Sequence, residues 1–175
     1  METILYLAHA EADGGLSKAA LEVLSAAKSL AEGLSATFTV GLVGADVQKA
    51  ADALAGCGAA NIHGVSGEAY AQSRYVTDAA ACEALCRESG ATIVVGLADS
   101  RLSRALPGVA QRLNGRIDTH LTGLSARDGK PVASRWYYRQ RMVAEFSRAA
   151  RPWILTVEAG CFPARRAPSR PSAGP

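Results

Sequence analysis

Two hydrophobic periods alternate along the first 115 residues. Thr3 to Ala8 is a short uncharged run that predicts a first strand. His9 to Gly15 follows as a polar, glycine-bearing loop. From Leu16, apolar residues recur at Ala19, Ala20, Val23, Leu24, Ala27, Leu30 and Ala31, while Lys18, Glu22, Lys28 and Glu32 fall off that stripe. This is helical spacing, and Gly33 is expected to end the helix. Thr37 to Val43 reads as a second strand. Asp46 then caps a helix whose inner face is Val47, Ala50, Ala51 and Leu54, with Gly56 as its stop. Asn61 to Val65 is a third strand, Ser66 to Ser73 a loop, and Val76 to Glu88 a helix stopped by Gly90.

The central unit is Ala91 to Gly115. Thr92 to Leu97 has no charge and suits a strand buried on both faces. Asp99 and Ser100 are helix-capping types, and Pro107 is suited to a first helical turn. Strand and helix have by then alternated four times, which predicts a parallel sheet with helices on both faces. After Gly115 the helical period disappears. His120 to Ser125, Pro131 to Tyr138, Arg141 to Ser147 and Trp153 to Glu158 are strand candidates, and Asp128-Gly129 is a hairpin turn. This part is expected as an antiparallel hairpin at one edge, the last strand returning to the main sheet. The result is one folded domain over residues 1–163, with a disordered proline- and arginine-rich tail over 164–175.

Composition narrows the classes. The chain has 175 residues, 49% hydrophobic and 20% charged, as in ordinary globular proteins. The net charge of +3 includes Arg165, Arg166 and Arg170 of the tail, so the body is close to neutral and a dedicated nucleic-acid binder is disfavoured. No apolar run reaches membrane-spanning length, and the chain opens on a strand without a basic leader. Cys57, Cys82, Cys86 and Cys161 form no C-x-x-C pair, so no zinc site is expected; Cys82 and Cys86 share a helix face as buried small hydrophobes or, less in keeping with the pattern, a redox or metal pair, and a reducing cytoplasm is the simplest compartment.

Candidate chemistry is sparse. In open parallel sheets, ligands gather at the carboxyl ends of strands. Gly96, Asp99, Ser100 and Arg101 are therefore the candidate ligand-binding residues, facing the His9 to Gly15 loop. His9, His63 and His120 lack ligand spacing, Ser100 lacks a nucleophile context, and no residue set reads as catalytic or metal-binding. Arg135, Arg139, Arg141, Arg148 and Arg151 lie among Trp136, Tyr137, Tyr138 and Phe146. Arginine interleaved with aromatics suits a partner surface, here Arg135, Arg139 and Arg141, or a solvated edge that resists aggregation.

From about Ile4 to Phe162 the chain resembles the amino-terminal domain of the electron transfer flavoprotein alpha subunit. The resemblance rests on Gly15-Leu16-Ser17 with Ala20-Leu21-Glu22-Val23-Leu24 and Ala26-Ala27-Lys28-Ser29-Leu30. It continues through Ala91-Thr92-Ile93-Val94-Val95, the Asp99-Ser100 turn, Pro107 with Arg112-Leu113, and Trp153-Ile154-Leu155-Thr156-Val157 with Phe162. Departures fall at His9, His120, Leu102-Ser103-Arg104 and Arg139-Gln140-Arg141. The resemblance implies a three-layer αβα, Rossmann-like fold of the adenine nucleotide alpha hydrolase-like type. It implies a scaffold domain in an electron-transfer complex with a beta-subunit-like chain and a flavin-binding domain, served by a dehydrogenase or quinone reductase. FAD would be held mainly by another domain or chain, with none expected on this chain alone. In that family the companion subunit holds a structural AMP. The alternative is an adenine-nucleotide-binding protein that uses its own strand-end loops.

Overall fold

A computed structural model describes residues 1–163, and the tail expected over 164–175 lies outside the described residues. In chain order the elements are β1 (Thr3–His9), α1 (Lys18–Leu34), β2 (Thr37–Gly44), α2 (Gln48–Leu54), β3 (Asn61–Ser66), α3 (Tyr75–Ser89), β4 (Ile93–Leu97) and α4 (Ser100–Arg112). They continue as β5 (Arg116–Leu121), β6 (Gly123–Arg127), β7 (Lys130–Tyr137), β8 (Met142–Phe146) and β9 (Trp153–Val157). A six-stranded parallel sheet has the order β3-β2-β1-β4-β9-β5, and a separate antiparallel sheet has the order β6-β7-β8.

Alternation along the central strands builds two cores. Ile4, Tyr6 and Ala8 of β1 join Val23, Ala27 and Leu30 of α1, with Val95, Trp153 and Leu155, on one face. Leu5 and Leu7 join Cys82 and Leu85 of α3, with Leu102 and Leu106 of α4, on the other. Both faces of β1, β4 and β9 are thus buried, as an uncharged parallel strand requires. The Tyr6 hydroxyl donates to the Ala20 carbonyl at 2.7 Å and ties α1 to β1. No helix among the described residues is long and apolar enough to cross a membrane.

Four local expectations change. Gly33 lies inside α1; the helix ends one turn-position later, at Ser35, in left-handed conformation (φ 50°). Gly33 instead provides clearance, because a Cβ there would lie 2.7 Å from the Ala126 Cβ of β6. Pro107 is in the middle of α4, not its first turn, because the Asp99 cap starts the helix at Ser100. The His120–Ser125 candidate is two strands. Residues 116–121 pair in parallel with β9, and β6 begins at Gly123. His120 takes φ 56° where the β5 register shifts, and the chain leaves the main sheet after Leu121. Finally, the antiparallel strands form a sheet of their own packed against α1, rather than extending an edge of the main sheet. Asp128 and Gly129 take φ 52° and 70°, the conformation expected of the hairpin turn.

The return segment is pinned by charge. Asp118 is buried and accepts hydrogen bonds from Arg148, at 2.7 Å from Nη2, and from the Trp153 indole at 2.8 Å. Burial pushes the Asp118 carboxyl up, but the Arg148 and Trp153 hydrogen bonds outweigh it and hold the group below its ordinary range. Arg151 reaches Glu2 at 2.6 Å beside it.

Candidate functional site

The order of the main sheet reverses between β1 and β4, because β1 continues toward β2 and β4 toward β9. In such sheets the diverging loops at that point leave a crevice. Here it is a cavity of about 490 Å³ lined by residues 9–12, Ser17, Ala71, Ser73, Leu97 and residues 99–101.

One wall is the loop after β1. The Glu11 amide donates to the Gly15 carbonyl at 2.8 Å, and Gly14 takes φ 76°, where a side chain would be strained. Asp13 accepts from the Gly15 amide at 2.9 Å and from Lys49 at 2.7 Å, which anchors the loop to α2. Those donors, Lys49 foremost, hold the Asp13 carboxyl below its usual range. Ser17 ends the loop and caps α1, its hydroxyl accepting from the Ala20 amide at 3.1 Å.

The other wall is the turn into α4. Asp99 caps that helix through Oδ1, which accepts from the Leu102 amide at 2.7 Å. Its Oδ2 is buried, makes no well-directed hydrogen bond, and lies 3.3 Å from His9 Nδ1. His9 Nε2 in turn is 3.8 Å from Glu11. The crevice thus gathers an imidazole between two carboxylates. Both helix N-termini that open on it carry their own side-chain caps, so the amides that commonly hold a phosphate are partly occupied.

The four residues singled out from sequence divide. Asp99 and Ser100 line the crevice. Arg101 also borders it, but its guanidinium is buried against Asp78 in a two-point bridge of 2.6 and 3.0 Å and donates to the Tyr70 carbonyl at 2.8 Å. Gly96 lies beneath α4, where a Cβ would approach Leu102 Cδ1 to 3.1 Å; it seats the helix. His9 and Glu11 belong to the His9 to Gly15 loop expected to face this turn, though neither was given a role of its own, and Ser73 was not picked out from sequence. The signal for His9 was its place at the carboxyl end of the strand adjacent to β4; Ser73 comes from a loop whose path no pattern gave.

The cationic cluster also divides. Arg135 faces inward, stacked 4.6 Å over Tyr137 and 5.7 Å over Phe146. Arg148 and Arg151 are committed to Asp118 and Glu2. Arg139 and Arg141 are exposed at the β7–β8 turn and have no salt-bridge partner among the described residues. Cys82 and Cys86 are buried, and burial pushes the Cys82 thiol up to about 12. No group of three histidine, cysteine or carboxylate side chains among the described residues could hold a metal ion.

A search of curated proteins finds no match. The sequence does match the family described as the electron transfer flavoprotein domain, over residues 4–175. That match takes in the parallel sheet, its flanking helices and its diverging strand ends, and the chain belongs to the electron transfer flavoprotein domain family.

Proposed function

We propose that this chain is an alpha-subunit-like scaffold that joins a beta-like chain and a flavin-carrying domain in an electron-transfer complex. The observation that carries the reading is the family match across residues 4–175. The crevice supports the scaffold role. A dinucleotide flavin needs donors for its pyrophosphate and cover for its ring, since good sites bury roughly 70–90% of a ligand. Here Ser17 and Asp99 occupy the helix ends, Arg101 is engaged by Asp78, and Glu11 adds a carboxylate. These residues do not fit FAD. The flavin therefore resides on a companion, which supplies the redox chemistry, while this chain positions it. Arg135 braces the hairpin from behind, and Arg139 and Arg141 face the partner.

A second reading, an adenine nucleotide such as AMP in the crevice, draws on Asp99 Oδ2, which makes no well-directed hydrogen bond and is an acceptor suited to an amino or hydroxyl group. Of the four residues singled out from sequence, Asp99 and Ser100 would face that ligand, with His9 opposite, while Gly96 seats α4 and Arg101 stays with Asp78. Native mass spectrometry and visible spectroscopy separate the readings. The chain alone, incubated with FAD or AMP and desalted, should retain neither, and co-expression with the beta-like chain should give a yellow complex. A stoichiometric flavin on the isolated chain would overturn the scaffold reading. Retained AMP would establish the second.

A further inference from the structure

We infer that the tip of the β7–β8 hairpin is a clasped docking element for a protein cleft that is apolar inside and rimmed by carboxylates. Antiparallel sheets with one solvent face ordinarily alternate apolar-in with polar-out. The hairpin obeys this near its base, where Ala133 is buried and its neighbour pair Ser134–Glu145 faces out. At the tip the rule fails. Trp136 and Val143 stand opposite one another on the outward face, 49% and 52% exposed. Tyr138 and Met142, 75% and 58% exposed, extend the apolar surface. Of the seven large hydrophobic residues exposed among the described residues, these four lie within eight positions of one another.

The turn itself reinforces the point. Tyr138, Arg139 and Gln140 take φ of 49°, 57° and 65°, three successive side-chain-bearing residues in the left-handed region. Folding would be better served by glycine or asparagine there. Strain of this kind concentrates where side chains serve a contact.

Three alternatives fit less well. A symmetric tip-to-tip pairing with a second copy would set Arg139 and Arg141 against their own counterparts. A membrane would meet only one side, whereas Val143 and Met142, adjacent on β8, project to opposite faces. A cleft reaches both. Acidic groups on its rim would meet the two arginines, because the nearest carboxylate on the hairpin, Glu145, is already paired with Arg127 at 2.9 Å. A small planar ligand stacked on Trp136 would leave Tyr138 and Met142 uncovered.

The test borrows the beta-like companion from the scaffold reading, on which the identity of the partner rests. The tryptophans give a direct readout, since Trp153 is fully buried and Trp136 is exposed. The full chain, labelled with 5-fluorotryptophan, has two fluorine resonances. On adding the unlabelled companion, the Trp136 resonance should shift and lose its solvent-isotope effect, while that of Trp153 stays put. Trp136→Ser with Met142→Ser, and separately Arg139→Glu with Arg141→Glu, should each weaken the complex at least tenfold and leave the thermal midpoint nearly unchanged. No complex with the wild-type chain overturns the scaffold reading and this inference with it. A complex in which the Trp136 resonance does not respond, or variants within twofold of wild type, overturns this inference alone. Shielding of Trp136 by concentrated chain without companion, or by phosphatidylglycerol vesicles, assigns the tip to a second copy or a membrane and likewise overturns it.

Discussion

Asp78→Asn tests whether Arg101 is held for structure. Asp78 and Arg101 are both buried, and their two-point bridge of 2.6 and 3.0 Å joins α3 to α4 beside the crevice. The amide is the same size as the carboxylate, but it leaves a guanidinium charge buried with only the Tyr70 carbonyl as a strong acceptor. Breaking a buried pair in this way costs about 3–5 kcal/mol. The low end is expected, because the amide oxygen still accepts one bond. Arg101→Met strands the Asp78 carboxylate with the Arg74 amide at 3.1 Å and should cost a similar amount. Replacing both, as Asp78→Leu with Arg101→Met, removes two desolvated charges at once and should return to within about 1 kcal/mol of the wild type. Urea unfolding followed by circular dichroism reads all three. With a slope near ~2 kcal/mol per molar, each single variant should lower the midpoint by about 1.5 M or more, and the double variant by about 0.5 M or less. Single losses below about 1 kcal/mol, or a double variant as damaged as the sum, would refute the reasoning and release Arg101 for a ligand.

Three further outcomes follow from the packing. The Asp118 carboxyl is depressed in the folded state, so its contribution to stability is complete above its unfolded value and is lost as pH falls through the folded one. The stability gap between wild type and Asp118→Asn should therefore be widest near neutrality and close below about pH 4, as measured by unfolding at several pH values. Gly33→Ala, which ordinarily favours a helix, should here destabilise by about 1–2 kcal/mol through contact with Ala126, and Ala126→Gly should restore most of the loss in a thermal melt. In native thiol titration the exposed Cys161 should react first, and Cys82 and Cys86 only on unfolding, because burial raises both thiols; fast labelling of either would show that α3 opens.

Uncharged strands and helical stripes were readable because both faces of β1 and β4, and one face of α1, are buried. The errors cluster where tertiary contact replaced local preference. Gly33 looked like a stop, yet its missing Cβ serves Ala126, which lies 93 positions away in sequence. β5 was hidden because Arg116, Asp118 and His120 break its apolar pattern, and Asp118 is buried only through Arg148 and Trp153. The crevice was legible as a location, through the Asp99 cap. Its composition was not, because whether Arg101 turns to the cavity or to Asp78 depends on how α3 packs. The same limit applied to the hairpin: sequence counted its arginines, while the register decided which of them face water.

The placement of β9 has a consequence for how the chain is made. This strand, residues 153–157, sits between β4 and β5 and among the described residues is the one strand paired with β5. Before Trp153 leaves the ribosome, β5 has no partner and β4 has an open side. A growing chain can pair β1 with β2 and β4 as soon as those strands emerge, but it cannot form the half of the sheet that lies beyond β4. That half waits for β9, and until then it displays bare edges that invite pairing with other chains. Synthesis halted just short of residue 153 should yield aggregates, and extension through residue 157 should make the same chain soluble.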